Sequence, residues 1–174
     1  NAISYAQGPN SGIVNASNPA GATTGQVSVD NFESIEFANK GTLAINGLAG
    51  SDSVSLNTPN RPTGLGDLVT NDCDLAMVGF QPVCVVGGDP TDSASDSVTV
   101  NGVAGISDSM VVVPQGPGAL SVFVAPTSVS LRGIAHLNAV FQAGEFDTLR
   151  YQDTVASDIV EVTPGALSDE GTII

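Results

Sequence analysis

Short runs in which apolar and polar residues alternate recur along most of the chain from Gln26 onward. The runs follow one another about every 11 residues, and Gly, Pro, Asn, Asp or Ser breaks nearly every gap. Alternation of this kind predicts β-strands, which we place at Val27–Val29, Ile35–Phe37, Leu43–Ile45, Val54–Leu56, Leu75–Phe80, Val83–Val86, Val98–Val100, Met110–Val113, Leu120–Val124, Val129–Leu131, Leu137–Phe141, Leu149–Tyr151 and Ile159–Val162. No segment combines 3.6-residue periodicity with proper helix caps. The pattern therefore predicts an all-β protein.

The first 25 residues differ from the rest of the chain. They are rich in Asn, Gly, Ala, Ser and Thr and alternate only weakly, which is typical of loosely held segments. We expect residues 1–25 to be an extended N-terminal arm or a first strand, and residues 26–174 to be an all-β repeat domain.

A Ser-Asp pair precedes a strand-like run at four places in the chain. The aspartates of these pairs are Asp52, Asp96, Asp108 and Asp158. The stretch 46–54 also matches 101–110, with one inserted residue. Internal similarity marks a repeat architecture, here with imperfect units of about 50 residues.

Two arrangements of the strands fit this pattern. The first choice is a parallel β-solenoid, a β-helix-like fold with irregular coils, in which Val and Leu of successive coils align in columns and polar turns form ladders outside. The alternative is a β-sandwich, or tandem small sandwiches, with a core about 10 Å thick. The chain has no Trp, two Tyr and six Phe, so either core consists of thin layers of small aliphatic side chains.

The charge of the chain excludes some partners. It has 18 acidic residues and a formal net charge of −14, with only four basic residues, at Lys40, Arg61, Arg132 and Arg150. Nucleic acid binding needs clustered Lys and Arg to displace counterions, and the same argument excludes an anionic membrane surface. No apolar run is long enough to span a bilayer. We predict no nucleic acid partner and no membrane insertion.

Two cysteines, Cys73 and Cys84, lie close together in the sequence. The stretch 79–82 between them is typical of a turn joining two short strands, across which the two thiols would face each other. An even cysteine count with few Lys favours an oxidising compartment. We predict a disulfide between Cys73 and Cys84 and an extracellular or cell-surface location. Two buried free thiols are the alternative.

The densest acidic loop contains Asp89, Asp92 and Asp96. Hard cations take several oxygen ligands from carboxylates and carbonyls, and this loop offers three carboxylates. It lacks the spacing and the bidentate Glu of an EF-hand, so an exposed turn whose carboxylates face water is the alternative. Calcium is the one ligand that the sequence leaves open, and we predict no other cofactor.

The sequence offers little for catalysis. His136 is the only histidine, and no serine lies in a Gly-x-Ser-x-Gly elbow. Carboxylate pairs such as Glu145 and Asp147 are present, but glycoside hydrolysis also needs an aromatic-lined sugar cleft. Polyuronate cleavage needs basic residues to neutralise the substrate. We therefore expect no enzymatic activity, with a carbohydrate-active β-helix enzyme as the alternative.

One modification motif is present. Asn15-Ala16-Ser17 is an N-glycosylation sequon, which makes Asn15 a candidate glycosylation site. In a bacterial protein such a sequon is usually coincidence, and the Ser- and Thr-rich turns are alternative carriers of O-linked sugar.

Three stretches carry a resemblance to a known class of proteins. Residues 46–56 (Asn-Gly-Leu-Ala-Gly-Ser-Asp-Ser-Val-Ser-Leu), 87–102 and 162–166 (Val-Thr-Pro-Gly-Ala) resemble the β-strand repeat regions of very long secreted or surface proteins of bacteria, of a type associated with planctomycetes. The likeness covers most of residues 26–172. It implies an extracellular structural or adhesive module without known activity.

A second, weaker resemblance is to the calcium-binding nonapeptide of RTX β-rolls. Gly47, Gly50, Asp52 and Val54 fall on that pattern, whereas Leu48 replaces its second glycine. In a β-roll each ion lies between successive turns, so isolated copies cannot complete the coordination. The resemblance implies calcium at Asp52, and the alternative is that the carboxylate caps its own turn through hydrogen bonds to the main chain.

Together these observations predict an extracellular structural protein, as a repeat segment or subunit of a surface filament, layer or adhesin stalk. We expect the chain to associate with itself, with strand addition through the N-terminal arm as the route. A calcium-dependent adhesive or binding module is the alternative from another class.

Overall fold

A computed structural model describes most of the chain. The described residues are 1–30, 32, 34–57, 64–65, 83–88, 95–102, 105, 107–116, 118–124, 127–141 and 147–152, together with the backbone of 162–164 and 171–173. Within these residues the chain forms fourteen β-strands and no helix, which confirms the all-β prediction.

The strands follow the alternating runs of the sequence closely. In chain order they are β1 Ala2–Gln7, β2 Gly25–Val29, β3 Ile35–Phe37, β4 Leu43–Leu48, β5 Ser53–Leu56, β6 Val83–Gly88, β7 Ser97–Asn101, β8 Ser109–Gly116, β9 Ala119–Val124, β10 Thr127–Arg132, β11 His136–Val140, β12 Thr148–Tyr151, β13 Val162–Pro164 and β14 Gly171–Ile173. The strand predicted at Leu75–Phe80, and most of the one predicted at Ile159–Val162, lie outside the described residues.

Two six-stranded sheets contain most of these strands. The first sheet has the order β11-β7-β5-β1-β2-β3, and the second has the order β12-β8-β9-β10-β6-β4. Strands β13 and β14 form a separate antiparallel pair. Both large sheets are mixed: β1, β5, β7 and β11 are parallel neighbours, as are β4, β6 and β10, whereas β2 and β9 run antiparallel to the strands beside them.

Three connections lead from the second sheet to the first, and we call them the three crossings: β4 to β5, β6 to β7 and β10 to β11. Their strands are neighbours in both sheets, so the crossings are stacked in register. Apolar residues consequently align in columns across the strands. One column is Val54, Val98 and Leu137 in the first sheet, and another is Ile45, Val85 and Leu131 in the second.

The columns supply the hydrophobic core. Alternation along β5 and β7 buries Val54, Leu56, Val98 and Val100 and turns the polar residues between them away. A single hydrophobic cluster draws on both sheets, and its buried members are Ile3, Tyr5, Ile45, Val54, Leu56, Val83, Val85, Val98, Val100, Met110, Val112, Val122, Val124, Val129 and Leu131. Most of these side chains are aliphatic, as the scarcity of aromatic residues predicted.

The parallel solenoid predicted as the first choice does not describe the two sheets as a whole. Parallel pairing joins β1, β5, β7 and β11, joins β4, β6 and β10, and joins β8 and β12, but the antiparallel meanders β1-β2-β3 and β8-β9-β10 interrupt it. Each meander has a connection that contains a residue with left-handed backbone: Asp30 (φ 48°) follows β2, and Gly118 (φ 66°) lies between β8 and β9. Such residues permit tight turns, and tight turns join antiparallel rather than parallel strands.

The N-terminal segment begins as an interior strand. Strand β1 lies between β5 and β2, and its residues Ile3 and Tyr5 are buried. Donation of this strand to a neighbouring molecule would therefore require β1 to leave the first sheet. Among the described elements there is no helix with the length and apolarity needed to cross a bilayer.

Candidate functional site

A buried aspartate stands immediately before three strands, β5, β7 and β8. Asp52, Asp96 and Asp108 are only 3%, 4% and 3% exposed, although aspartate is rarely buried so completely without partners. Each stands where the chain has passed from one sheet to the other. We call the three pairs Gly47 and Asp52, Gly87 and Asp96, and Gly102 and Asp108 the aspartate corners.

A glycine opens each aspartate corner and lets the carboxylate lie against the main chain. A Cβ added at Gly47 would lie 2.6 Å from Oδ2 of Asp52, and one added at Gly87 would lie 2.6 Å from Oδ2 of Asp96. Gly102 stands in the same relation to Asp108. These contacts explain why the repeated sequence keeps a glycine at this point of the corner.

The carboxylate of Asp96 serves two main-chain donors. Its Oδ1 accepts a hydrogen bond from the amide of Asp52 at 2.8 Å, and its Oδ2 accepts one from the amide of Gly88 at 2.8 Å. The carbonyl of Asp96 accepts from the amides of Ala135 and His136, both at 3.0 Å. Asp96 therefore connects all three crossings through hydrogen bonds.

The carboxylate of Asp52 is only partly satisfied. Its Oδ1 accepts hydrogen bonds from the α-ammonium of Asn1 at 2.9 Å and from the Asn1 side-chain amide at 2.6 Å. Its Oδ2 is buried and has no hydrogen-bond partner among the described residues. Leu48 pairs with Gly88 across the second sheet, but its amide donates to Oδ1 of Asn46 at 3.1 Å instead of to Asp52. The bond that Gly88 gives to Asp96 thus has no counterpart at Asp52.

The negative charge around Asn1 changes the acidity of its α-ammonium. The hydrogen bond to Asp52 raises the pKa of this ammonium above its ordinary value, and the charges of Asp52, Asp30 and Asp96 act in the same direction. Partial loss of hydration lowers the pKa but does not cancel these effects. The ammonium and Asp52 form an ion pair beside the first aspartate corner.

A second ladder joins Asp108 to Asp147. The amide of Asp108 donates to Oδ1 of Asp147 at 2.7 Å, and the amide of Thr148 donates to the carbonyl of Asp108 at 2.9 Å. Asp147 precedes β12 as Asp108 precedes β8. In the sequence, Asp147 stands out only as a member of a carboxylate pair, although the order Asp-Thr before a strand-like run resembles Asp-Ser in the repeats.

Of the three predicted calcium ligands, only Asp96 lies within the described residues. Both oxygens of its carboxylate accept hydrogen bonds from main-chain amides, and Asp89 and Asp92 lie outside the described residues. Within the described part of the chain, no three His, Cys, Asp or Glu side chains come together as a metal-binding group. Calcium at the acidic loop stays a prediction.

Cys84 lies in the interior strand β6 and is 4% exposed. It takes part in a disulfide. Its predicted partner, Cys73, lies outside the described residues, so the pairing itself stays a prediction.

Asn15 belongs to a hydrogen-bonded network in the loop 8–24 between β1 and β2. Its Nδ2 donates to Oδ1 of Asn10 at 2.6 Å, and its Oδ1 accepts from the amides of Ser17 and Asn18, both at 2.8 Å. A glycan on Nδ2 would replace one of the two donors of this amide. Glycosylation of Asn15 stays a prediction.

A polar cavity of about 260 Å³ lies beside this loop, and its lining includes Asn10, Asn18, Thr24, Glu36 and Phe37. Glu36 accepts hydrogen bonds from the Thr24 hydroxyl at 2.6 Å and from the main-chain amide of Asn10 at 2.8 Å. The hydrogen bond from Thr24, followed by those from Asn10, lowers the pKa of Glu36 below its ordinary value. No motif in the sequence indicated this site, because its residues come from a loop and a distant strand.

Comparison of the chain with protein-family models, with curated proteins and with solved structures finds no match. The resemblance to planctomycete-type surface repeats therefore stays a prediction from the residues that carry it.

Proposed function

We propose that this chain is an extracellular structural protein, acting as a segment or subunit of a surface filament, layer or stalk. The fold that fits this role is a β-sandwich-like body in which the two sheets pack face to face. The three crossings between the sheets form a short stacked repeat. The single hydrophobic cluster shared by both sheets supports this packing.

One observation carries the proposal: the hydrogen bonds of Asp96 to the other two crossings. Its two carboxylate oxygens accept from Asp52 and Gly88, and its carbonyl accepts from Ala135 and His136. Main-chain donors buried in a corner must be paired, because an unpaired one costs about 1–3 kcal/mol. Both oxygens of this carboxylate are thus used to hold strands together, which is the task of a scaffold.

The exposed face of the first sheet supports the same role. Side chains from neighbouring strands form a polar ladder there: Asn101 Nδ2 donates to Asn57 Oδ1 at 2.8 Å, and Asn57 Nδ2 donates to the Ser4 hydroxyl at 2.9 Å. Such ladders and a formal net charge of −14 keep a surface hydrated. A hydrated, repetitive surface suits a protein that stands outside the cell.

The proposal is tested by electron microscopy and light scattering of the purified chain over a wide range of concentration and calcium. We expect elongated assemblies whose mass grows with concentration. Monomers under every condition would remove the assembly role.

A calcium-dependent binding module is a second candidate, favoured by the unpartnered Oδ2 of Asp52. A cation could take this oxygen as one ligand, although the other oxygen already holds the Asn1 ammonium. Melting curves of the wild-type chain with calcium and with a chelator test this candidate. A shift of many degrees supports a stabilising ion, and no shift leaves the scaffold alone.

A further inference from the structure

We propose that Asn46 is a site of spontaneous covalent modification, at which its side chain cyclises onto the main chain of Gly47 and loses its amide nitrogen as ammonia. The sequence contains the Asn-Gly pair twice, at Asn46-Gly47 and at Asn101-Gly102. The fold makes only the first pair reactive. This inference concerns the chemistry of the chain itself and does not depend on the proposed function.

The reaction requires the main-chain nitrogen after an asparagine to attack the carbonyl carbon of its side chain. The nitrogen of Gly47 bonds to Cγ of Asn46 and closes a succinimide ring, while the bond from Cγ to Nδ2 breaks. The amide proton of Gly47 leaves with Nδ2 as ammonia. Water then opens the ring at either carbonyl and gives aspartate or isoaspartate. Glycine favours the first step, because it has no side chain to hinder the approach.

The two Asn-Gly pairs are closely matched in sequence. Ile45 precedes the first pair and Val100 precedes the second, and both of these residues are β-branched. Each pair also stands at the start of an aspartate corner, before Asp52 in one case and Asp108 in the other. A difference in reactivity between the two pairs therefore has to come from the structure around them.

The side chain of Asn46 is folded back over the peptide bond that joins it to Gly47. Its Oδ1 accepts a hydrogen bond from the amide of Leu48 at 3.1 Å, which closes a turn of the Asx type around the Gly47 nitrogen. The turn keeps Cγ of Asn46 on the side of that nitrogen. The same hydrogen bond stabilises the negative charge that develops on Oδ1 as the ring forms.

The groups that must move during the reaction are loosely held. The Asn46 side chain is exposed, and within the described part of the chain its Nδ2 has no hydrogen-bond acceptor. The pairing of β4 with β6 includes Asn46 and Leu48 but skips Gly47, and Leu48 has a left-handed φ of 67°. Strand β4 is therefore irregular at the nitrogen that attacks.

The hydrogen bond between Leu48 and Asn46 has no counterpart at the second aspartate corner. Val86 and Gly88 are there the partners of Asn46 and Leu48 across the sheet, and the amide of Gly88 donates to the corner carboxylate at 2.8 Å. At the first corner the amide of Leu48 turns to Asn46 instead, and Oδ2 of Asp52 has no partner among the described residues. The unpartnered carboxylate oxygen accompanies the folded-back position of Asn46.

The second Asn-Gly pair is held in an unreactive arrangement. Nδ2 of Asn101 donates to Oδ1 of Asn57 at 2.8 Å and to the Ser55 hydroxyl at 3.2 Å, so this side chain reaches toward β5 and not over its own peptide bond. The amide of Gly102 donates to the carbonyl of Val140 at 2.7 Å. Cyclisation at Asn101 has to break the hydrogen bonds of both the leaving nitrogen and the attacking nitrogen.

Peptide mapping by mass spectrometry tests the proposal. The full chain is kept folded at mildly alkaline pH and sampled over weeks, and a second sample is kept unfolded in guanidinium chloride. Conversion of each asparagine is read from the mass gained when a hydroxyl replaces the amino group, and electron-transfer fragmentation distinguishes isoaspartate from aspartate. Circular dichroism shows that the first sample stays folded. Asn46→Gln is the control variant, because glutamine would have to form a larger ring and does so much more slowly.

In the folded chain we expect Asn46 to convert at least tenfold faster than Asn101, with isoaspartate among the products. In the unfolded chain the two residues should convert at similar rates, because their sequence neighbours are matched. Asn46→Gln should abolish the mass gain of its peptide. Equal rates for Asn46 and Asn101 in the folded chain would overturn the inference, as would a folded chain that stays unmodified at Asn46 while the unfolded chain converts. A mass gain that persists in Asn46→Gln would assign the reaction to another residue and would also overturn it.

Discussion

The main-chain amide of Asp52 donates a hydrogen bond to Oδ1 of Asp96 at 2.8 Å, although the two aspartates are 44 residues apart in the sequence. Both residues stand at equivalent positions, one before β5 and the other before β7. The carboxylate of one aspartate corner therefore accepts a hydrogen bond from the main chain of a neighbouring corner. The repeated Ser-Asp pair has a physical role that reaches beyond its own turn.

Replacement of Asp96 by alanine should be strongly destabilising. The change leaves the amides of Asp52 and Gly88 without an acceptor in a buried corner, and we expect a loss of about 3 kcal/mol in the free energy of unfolding. Asp96→Asn keeps one acceptor but turns a donor toward the other amide, so its loss should be smaller, about 2 kcal/mol. Denaturation by urea measures both values.

The control for this pair is Asp30→Asn. The side chain of Asp30 accepts one exposed hydrogen bond, from the amide of Ala2, and asparagine also tolerates its left-handed backbone. We expect a change within about 0.5 kcal/mol. Equal losses for Asp96→Asn and Asp30→Asn would show that the hydrogen bonds of Asp96 stabilise the fold no more than one exposed hydrogen bond does.

Gly47→Ala should destabilise the chain through a single contact. The new Cβ would lie 2.6 Å from Oδ2 of Asp52, and overpacking of this kind costs about 2 kcal/mol. Gly47 is not in the left-handed region, so alanine brings no backbone strain there. In the Asp52→Ala background the same substitution should cost less than about 1 kcal/mol. An unchanged cost in that background would disprove the contact.

Leu48→Gly should stabilise the chain. Leu48 has a φ of 67°, and a non-glycine residue in this region is strained by about 1 kcal/mol. Its side chain is 68% exposed, so little burial is lost. Leu48→Ala is the matched control, because it keeps the strain, and it should be nearly neutral. Measurements at low concentration avoid any effect on association, and a loss of stability in Leu48→Gly would contradict the expectation.

Much of the fold is predictable from local pattern. The alternation in Val54–Leu56 and Val98–Val100 identified β5 and β7, because one face of each strand is buried. The scarcity of aromatic residues also indicated the aliphatic core. These features depend on neighbouring residues alone.

What the sequence does not reveal is long-range pairing. Nothing near Asp96 indicates that its carboxylate would accept from Asp52, and Asp147 lacks the preceding serine of the repeat, so its corner was missed. The interior position of β1 also depends on partners far along the chain, at β5 and β2. Weak alternation in the first residues left open whether they form an extended arm or a first strand.

Glu36 should make stability depend on pH in the acidic range. Its pKa is lowered in the folded chain by the hydrogen bonds from Thr24 and Asn10. The stability it contributes is therefore present above the ordinary value of 4.5 and is lost as pH falls through the lowered folded pKa. The difference in unfolding free energy between wild type and Glu36→Gln should be largest at neutral pH and should shrink in acid.

Thr24→Val provides the matching test, since it removes the largest cause of the pKa shift. Like Glu36→Gln, it should reduce the fall in unfolding free energy as the pH is lowered into the acidic range. If wild type and both variants lose unfolding free energy equally over this range, the hydrogen bonds from Thr24 and Asn10 do not lower the pKa of Glu36.

Thermal unfolding of wild type and Asp96→Ala, each with millimolar calcium and with a chelator, separates a corner that binds main chain from one that binds metal. If the aspartate corners are scaffold, the wild-type melting temperature is the same in both conditions and Asp96→Ala lowers it equally in both. If calcium raises the wild-type melting temperature by many degrees and the chelator abolishes the effect of Asp96→Ala, Asp96 holds an ion and the structural interpretation is wrong.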